Sequence, residues 1–128
     1  MPTITNATLN LTTVNNDVTA DVTFDAVFTR FERNLADLGM TFDRHVDILG
    51  VDAGTTTVLH SFDPTNLPVM AGAGSQSIPV SLSLTRPRSF FQEDTDNDEI
   101  GCNIRIHSQG FPPIFTPDFF TVQQVLVG

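Results

Sequence analysis

The chain has 128 residues, 40% of them hydrophobic and only 16% charged, which suits one domain built around one core. Its net charge is −9, with no lysine and six scattered arginines (Arg30, Arg33, Arg44, Arg86, Arg88, Arg105), so it lacks the clustered cations that nucleic acids and anionic lipid surfaces require. Lysine-dependent chemistry is excluded, and eleven Phe with no Trp or Tyr leave no wet stacking platform of the kind carbohydrate binding favours.

The opening MPTITNATLNLT has neither a basic segment nor an apolar run. No signal peptide is expected, and synthesis in the cytoplasm is the expectation. No apolar run reaches the length of a membrane span. Cys102 is the single cysteine, so no intrachain disulfide is possible.

Thr3 to Val14 reads as a first strand, with Leu9 and Leu11 on one parity. Asn15, Asn16 and Asp17 are turn residues that tolerate left-handed backbone. The second strand has the clearest pattern: Val18, Ala20, Val22, Phe24, Ala26 and Phe28 take the even positions. Thr19, Asp21, Thr23, Asp25 and Thr29 take odd ones, which predicts one buried face and one wet face. Together the two strands predict a long hairpin.

Phe31 to Gly39 changes rhythm. Phe31, Leu35 and Leu38 have helical spacing, and Gly39 can close the helix at its C-terminal end. The expectation is a short helical connection near 31–39 whose apolar side covers one end of the core. Met40 to Val51 alternates again through Met40, Phe42, Val46 and Ile48, with Arg44 interrupting. Asp52, Ala53 and Gly54 turn the chain into a shorter strand, Thr55 to Phe62.

Asp63 to Gln76 is a loop by composition, long enough to wrap an edge or contact a partner. Ser77 to Thr85 is a strand with Ile78, Val80, Leu82 and Leu84 inward. Pro79 cannot donate to a ladder, so this is an edge strand or Pro79 lies at the start of a strand. Glu99 to Ser108 is the next strand, with Ile100, Cys102, Ile104 and Ile106 on one parity. Gln109 to Asp118 is irregular and rich in proline, and Phe119 to Val127 forms the last strand.

About seven strands with almost no helix predict an all-β, single-domain antiparallel β-sandwich over residues 1–128. The strand count and order resemble those of immunoglobulin-like and fibronectin type III domains. The Cys–Trp–Cys core and tyrosine corner of true immunoglobulin domains are absent. C2-like and jelly-roll sandwiches are the alternatives.

Two stretches carry candidate sites. Glu93 to Glu99 holds six acidic or amide residues in seven, and Asp94, Asp96 and Asp98 have the alternate spacing that points carboxylates at one calcium ion. Against an EF-hand the stretch fails twice. Glu99 stands where the turn needs glycine, and Arg105 stands where the last ligand belongs. It resembles a C2-type loop more closely. The other reading is a solvated acidic turn that keeps a sheet edge soluble.

The second stretch is the C-terminal region. Phe119, Val125 and Val127 fall on one parity of the last strand and Phe120, Val122 and Leu126 on the other. A strand apolar on both faces needs a second covering surface. Phe115, Phe119, Val125 and Val127 form the expected partner-binding surface; the other reading is that the segment closes one end of the core.

No enzyme motif is present: no Gly-x-Ser-x-Gly elbow, no phosphate loop, and no short-spaced histidine pair. His45, His60 and His107 read as surface or boundary histidines. Cys102 reads as an inert core thiol. The expected function is a non-enzymatic sandwich working by protein–protein contact. It would act as a homo-oligomer or as an accessory subunit of a larger bacterial or viral assembly. A calcium-binding C2-like sandwich using Asp94, Asp96 and Asp98 is the alternative. No cofactor other than calcium is expected.

Overall fold

A computed structural model describes residues 2–52, 55–91, 98–109, 119–120 and 124–126. It is an all-β fold of two antiparallel sheets. The strands are β1 (Thr3–Val14), β2 (Asp17–Phe28), β3 (Thr41–Asp52), β4 (Thr55–Ser61), β5 (Thr65–Asn66), β6 (Gln76–Pro87), β7 (Asp98–Gln109), β8 (Phe119–Phe120) and β9 (Gln124–Leu126). Two short helices interrupt them, α1 (Arg30–Asp37) and α2 (Arg88–Phe91).

Sheet A has the order β1-β2-β6. Its centre is β2, whose even residues from Val18 to Phe28 are all buried, as the alternation predicts. In β1 the inward phase changes partway. Ile4 stands opposite Ala26, whereas Leu9 stands opposite Val22. Between them the register shifts, so Asn6 and Ala7 stand against the single Phe24. Asn6 takes φ 55°, the left-handed conformation that such a bulge uses and that Asn tolerates. Ile4, Ala7, Leu9 and Leu11 therefore all reach the core despite their mixed parity. The β1–β2 turn places Asn15 at φ 56°. β6 lies at the sheet edge, where Pro79, opposite Asp25, breaks no central ladder.

Sheet B is centred on β3 and β7, with β4 and β5 pairing β3, and β8 and β9 pairing β7. Phe42, Val46, Ile48, Ile100, Cys102, Ile104 and Ile106 are buried on its inner face and join the sheet A residues in one core cluster. Phe28 of sheet A meets Phe42 of sheet B edge-on at 5.0 Å between ring centres. The architecture is thus sandwich-like, two layers sharing one apolar interior.

The loop from residue 63 wraps the β3 edge. β5 pairs with Asp43 and Arg44, and the Leu67 N–H donates to the Phe42 carbonyl at 2.7 Å. α2 was not foreseen in the sequence. Its four residues bring Phe91 into the core, packed edge-on against Phe90.

Two segments of the expected last strand lie among the described residues. Phe119 and Phe120 pair with Ile104 and Asn103, and Gln124 to Leu126 pair with Ile100 to Asp98. Four steps along the chain from Phe120 to Gln124 match three along β7 from Asn103 to Ile100, so the register slips by one residue. The expected shared parity of Phe119 and Val125 is therefore not kept against β7: Phe119 stands opposite Ile104 and Val125 opposite Glu99. No helix among the described residues is long and apolar enough to cross a membrane.

Candidate functional site

Of the expected calcium ligands, Asp94 and Asp96 lie outside the described residues. Asp98 opens β7, with its backbone registered opposite Leu126. Among the described residues no group of three or more His, Cys, Asp or Glu could hold a metal ion. Of the expected partner-binding residues, Phe115 and Val127 also lie outside the described residues. Phe119 is registered opposite Ile104, and Val125 opposite Glu99. Both belong to the segments that border β7 on the side away from β3.

The structure draws attention to two other places. The first is α1. Thr29 caps it: the Glu32 N–H reaches Thr29 Oγ1 at 3.5 Å, and the Thr29 N–H donates to Glu32 Oε1 at 3.2 Å. The Thr29 hydroxyl also donates to Glu32 Oε2. This reciprocal box fixes the entry of the helix. At the other end the Met40 N–H bonds the Leu35 carbonyl and the Gly39 N–H bonds that of Ala36, both at 3.1 Å. Gly39 sits at φ 104°, so this is a Schellman closure on the glycine the sequence offered.

With both ends fixed, the rotation of the helix is fixed too. Glu32 is 1% exposed, and Leu35 and Ala36 pack against the core. Burial pushes the Glu32 carboxyl up, but the hydrogen bonds from Thr29 outweigh it and hold the group below its ordinary value. Phe31 and Leu38 are left 63% and 83% exposed. Seven positions apart, they fall within about 20° of each other around the helix. The expectation that Phe31, Leu35 and Leu38 together cover the core end is corrected: only Leu35 does. Glu32 in the third helical position takes the inward place, because its carboxylate completes the cap there.

On the opposite flank Arg33 binds the loop. Its Nε donates to the Met70 carbonyl at 2.6 Å, Nη1 to that of Gly74 at 2.8 Å, and Nη2 to that of Ala71 at 3.1 Å. The Gln76 amide holds the same loop from within, through the Met70 N–H and the Pro68 carbonyl. A Cβ on Gly72 would meet Arg33 Nη2 at 2.1 Å, so a side chain there would push the guanidinium aside. The loop is therefore an organised extension of the α1 end of the molecule.

The second place is the outer face of sheet B. Asp43, His45 and Asp47 from β3 stand opposite His107, Arg105 and Asn103 from β7. All six are half-buried. The His45 and His107 rings lie 4.2 Å apart between centroids, tilted by 36°. Burial pushes the His45 imidazole below its ordinary value, and the positive neighbours His107 and Arg105 add to this against Asp43 and Asp47. The sequence placed both histidines on the outward parity. It did not bring them together, because that needs the β3–β7 register.

On the inner face Arg44 interrupts the apolar row, and its Nη2 donates to Thr65 Oγ1 at 3.2 Å. Desolvation lowers its affinity for its proton. Cys102 is fully buried, and burial pushes its thiol up to about 12, which suppresses the thiolate needed for nucleophilic chemistry. No protein-family model, no curated protein and no solved structure matches this chain.

Proposed function

We propose that the chain is a non-enzymatic β-sandwich module that works by protein–protein contact, as a homo-oligomer or as an accessory subunit of a larger assembly. One observation carries the reading. Phe31 and Leu38 stand in solvent on a helix whose two ends are locked by hydrogen bonds. A mobile helix could roll to hide them, but a capped one cannot. Large apolar groups held out in this way favour a covering surface.

The strand arrangement supports the immunoglobulin-like reading of the sandwich, nearest to fibronectin type III. Strands 1, 2 and 6 share one sheet, and strands 3 and 7 sit at the centre of the other with the last strand beside strand 7. Folds of this kind serve as interaction modules as often as any, so function here rests on the surface and not on the fold. The apolar last strand is a second candidate for such contact on its residue types, with Phe119 registered opposite Ile104 and Val125 opposite Glu99.

The test is mass in solution across a range of protein concentration, for the wild type and Leu38→Asp. The exposed substitution should change stability by no more than about 0.5 kcal/mol. It should abolish the concentration-dependent increase in mass. A wild type that stays monomeric over the whole range, with a variant indistinguishable from it, sinks the homo-oligomer. Phe119→Asp separates the second surface. Loss of assembly with an intact fold assigns it to docking, whereas unfolding assigns it to the interior.

A further inference from the structure

The His45–His107 contact is unusual among the polar contacts of this molecule because both partners can gain charge near neutral pH. His45 stands opposite Arg105 and His107 opposite Asp43, so the two imidazoles meet diagonally across the β3–β7 ladder at 4.2 Å. Both are half-buried. His45 Nε2 is buried and has no hydrogen-bond partner. A neutral imidazole tolerates this, since one nitrogen needs no donor role. An imidazolium does not, because both of its nitrogens then carry an N–H that needs an acceptor.

The surrounding charges set how many protons the strip accepts. β3 contributes Asp43 and Asp47, and β7 contributes Arg105 beside His107. β4 brings His60 opposite Ile48, while β5 and β8 bring Thr65, Asn66, Phe119 and Phe120, none of them titratable in this range. With neutral imidazoles the strip has two carboxylates against one guanidinium. One added proton balances it. A second leaves excess positive charge between half-buried rings in contact.

We propose that the His45–His107 pair makes the β3–β7 ladder an acid-sensitive joint, which carries one proton without strain and loosens sheet B when the second is added in mildly acidic solution. The loosened element is the central strand pair of sheet B, to which every other strand of that sheet is attached. Acid therefore weakens the whole layer and not an edge.

The direction follows from linkage. The folded state holds the proton of His45 less well than the unfolded chain does. Between the ordinary histidine value, about 6.5, and the lowered folded value, the unfolded chain binds more protons. Stability from this group is therefore fully present above the ordinary value and falls as the pH drops below it. The general effect of acid on a chain of net charge −9 is the reverse, because lowering the pH relieves self-repulsion.

The experiment is thermal unfolding at about pH 7.5 and about pH 5.5, a range that histidine titration dominates, for the wild type, His45→Gln, His107→Gln and the control His60→Gln. The wild type and the control should lose several degrees of midpoint on acidification. His45→Gln should lose much less, and His107→Gln less than the wild type, because burial of His45 remains when its charged partner is gone. Equal losses in all four proteins overturn the proposal. Should both partner variants fail to fold, the histidine Cε1 resonances of the wild type decide. A His45 resonance that titrates below about 6.5 upholds the proposal, and one that titrates there or above overturns it.

Discussion

The outer faces of the two sheets begin from the same sequence rule and end as different surfaces. Both come from strands that alternate apolar and polar residues, so both turn their polar side away from the core. On sheet A the polar residues are short and pair across neighbouring strands. Thr8 and Thr23 share a hydrogen bond of 2.6 Å, Thr19 and Thr85 one of 2.8 Å, Ser83 donates to Asp21 at 2.8 Å, and Asn6 donates to Asp25 at 2.9 Å. On sheet B the equivalent positions hold Asp43, His45, Asp47, Asn103, Arg105 and His107, which are longer and half-buried. Sheet A's face carries carboxylates but no imidazole. Sheet B's face is where protons can act. Alternation decides which way a residue points, and side-chain chemistry decides what the face then responds to.

The comparison presumes one cooperative interior behind both faces. Phe28 and Phe42 join the layers, and both are fully buried. Phe42→Ala should cost about 3–5 kcal/mol, the largest single effect expected here. Denaturant unfolding followed by two probes, one in each sheet, should show coincident transitions at a lowered midpoint. If sheet B unfolded first while sheet A persisted, the two faces would belong to separately stable layers. Acid sensitivity would then be confined to one of them.

Much of sheet A was legible because its determinants are local. The even residues of β2 declare their face without reference to any other strand, and Pro79 narrows β6 to an edge or a strand start, of which the structure has the edge. The bulge at Asn6 was not legible. A left-handed Asn is permitted in many places, and only the pairing to β2 shows that the inward phase changes there. The histidine contact failed to show for the same reason on a larger scale. His45 and His107 are far apart in sequence, and a register slip of one residue would turn them to opposite faces. α1 is the instructive error. Thr29 and Glu32 spell a capping box that can be read from the chain, yet the apolar spacing of Phe31, Leu35 and Leu38 pointed to the wrong flank. The structure turns Glu32 of the cap, Leu35 and Ala36 inward and leaves Phe31 and Leu38 exposed.

A smaller test asks whether sheet A's face is as neutral as it looks. Thr8 and Thr23 stand opposite each other, exposed, with their hydroxyls bonded. Removing one hydroxyl by Thr23→Val leaves the partner free to bond water, so the loss should be at most about 0.5–1 kcal/mol. β-Branched valine keeps the strand preference, which reduces the loss further. The informative readout is its pH dependence. The destabilisation should be the same at neutral and mildly acidic pH, whereas that of His107→Gln should shrink as acid removes what the wild type has to lose. A Thr23→Val effect that varied with pH across this range would end the distinction between the faces.

The smallest expected effect concerns the acidic stretch Glu93 to Glu99. Asp98 begins β7, and Asp94 and Asp96 precede it at alternate positions. If three carboxylates converged on calcium, saturation to about 100 times the dissociation constant would add about 2.7 kcal/mol and raise the melting midpoint by several degrees. The assembly reading instead treats these carboxylates as solvated charges beside β7. Millimolar calcium then only screens them, as magnesium would, and the two ions should give equal shifts of a degree or less. The comparison of ions matters more than the presence of a shift. Screening depends on charge alone, whereas a site of carboxylate oxygens prefers the larger ion with its looser coordination. A calcium-specific rise that Asp96→Asn removes would transfer the functional centre from the α1 end to this stretch. Equal responses to both ions leave α1 and the last strand as the surfaces through which the molecule acts.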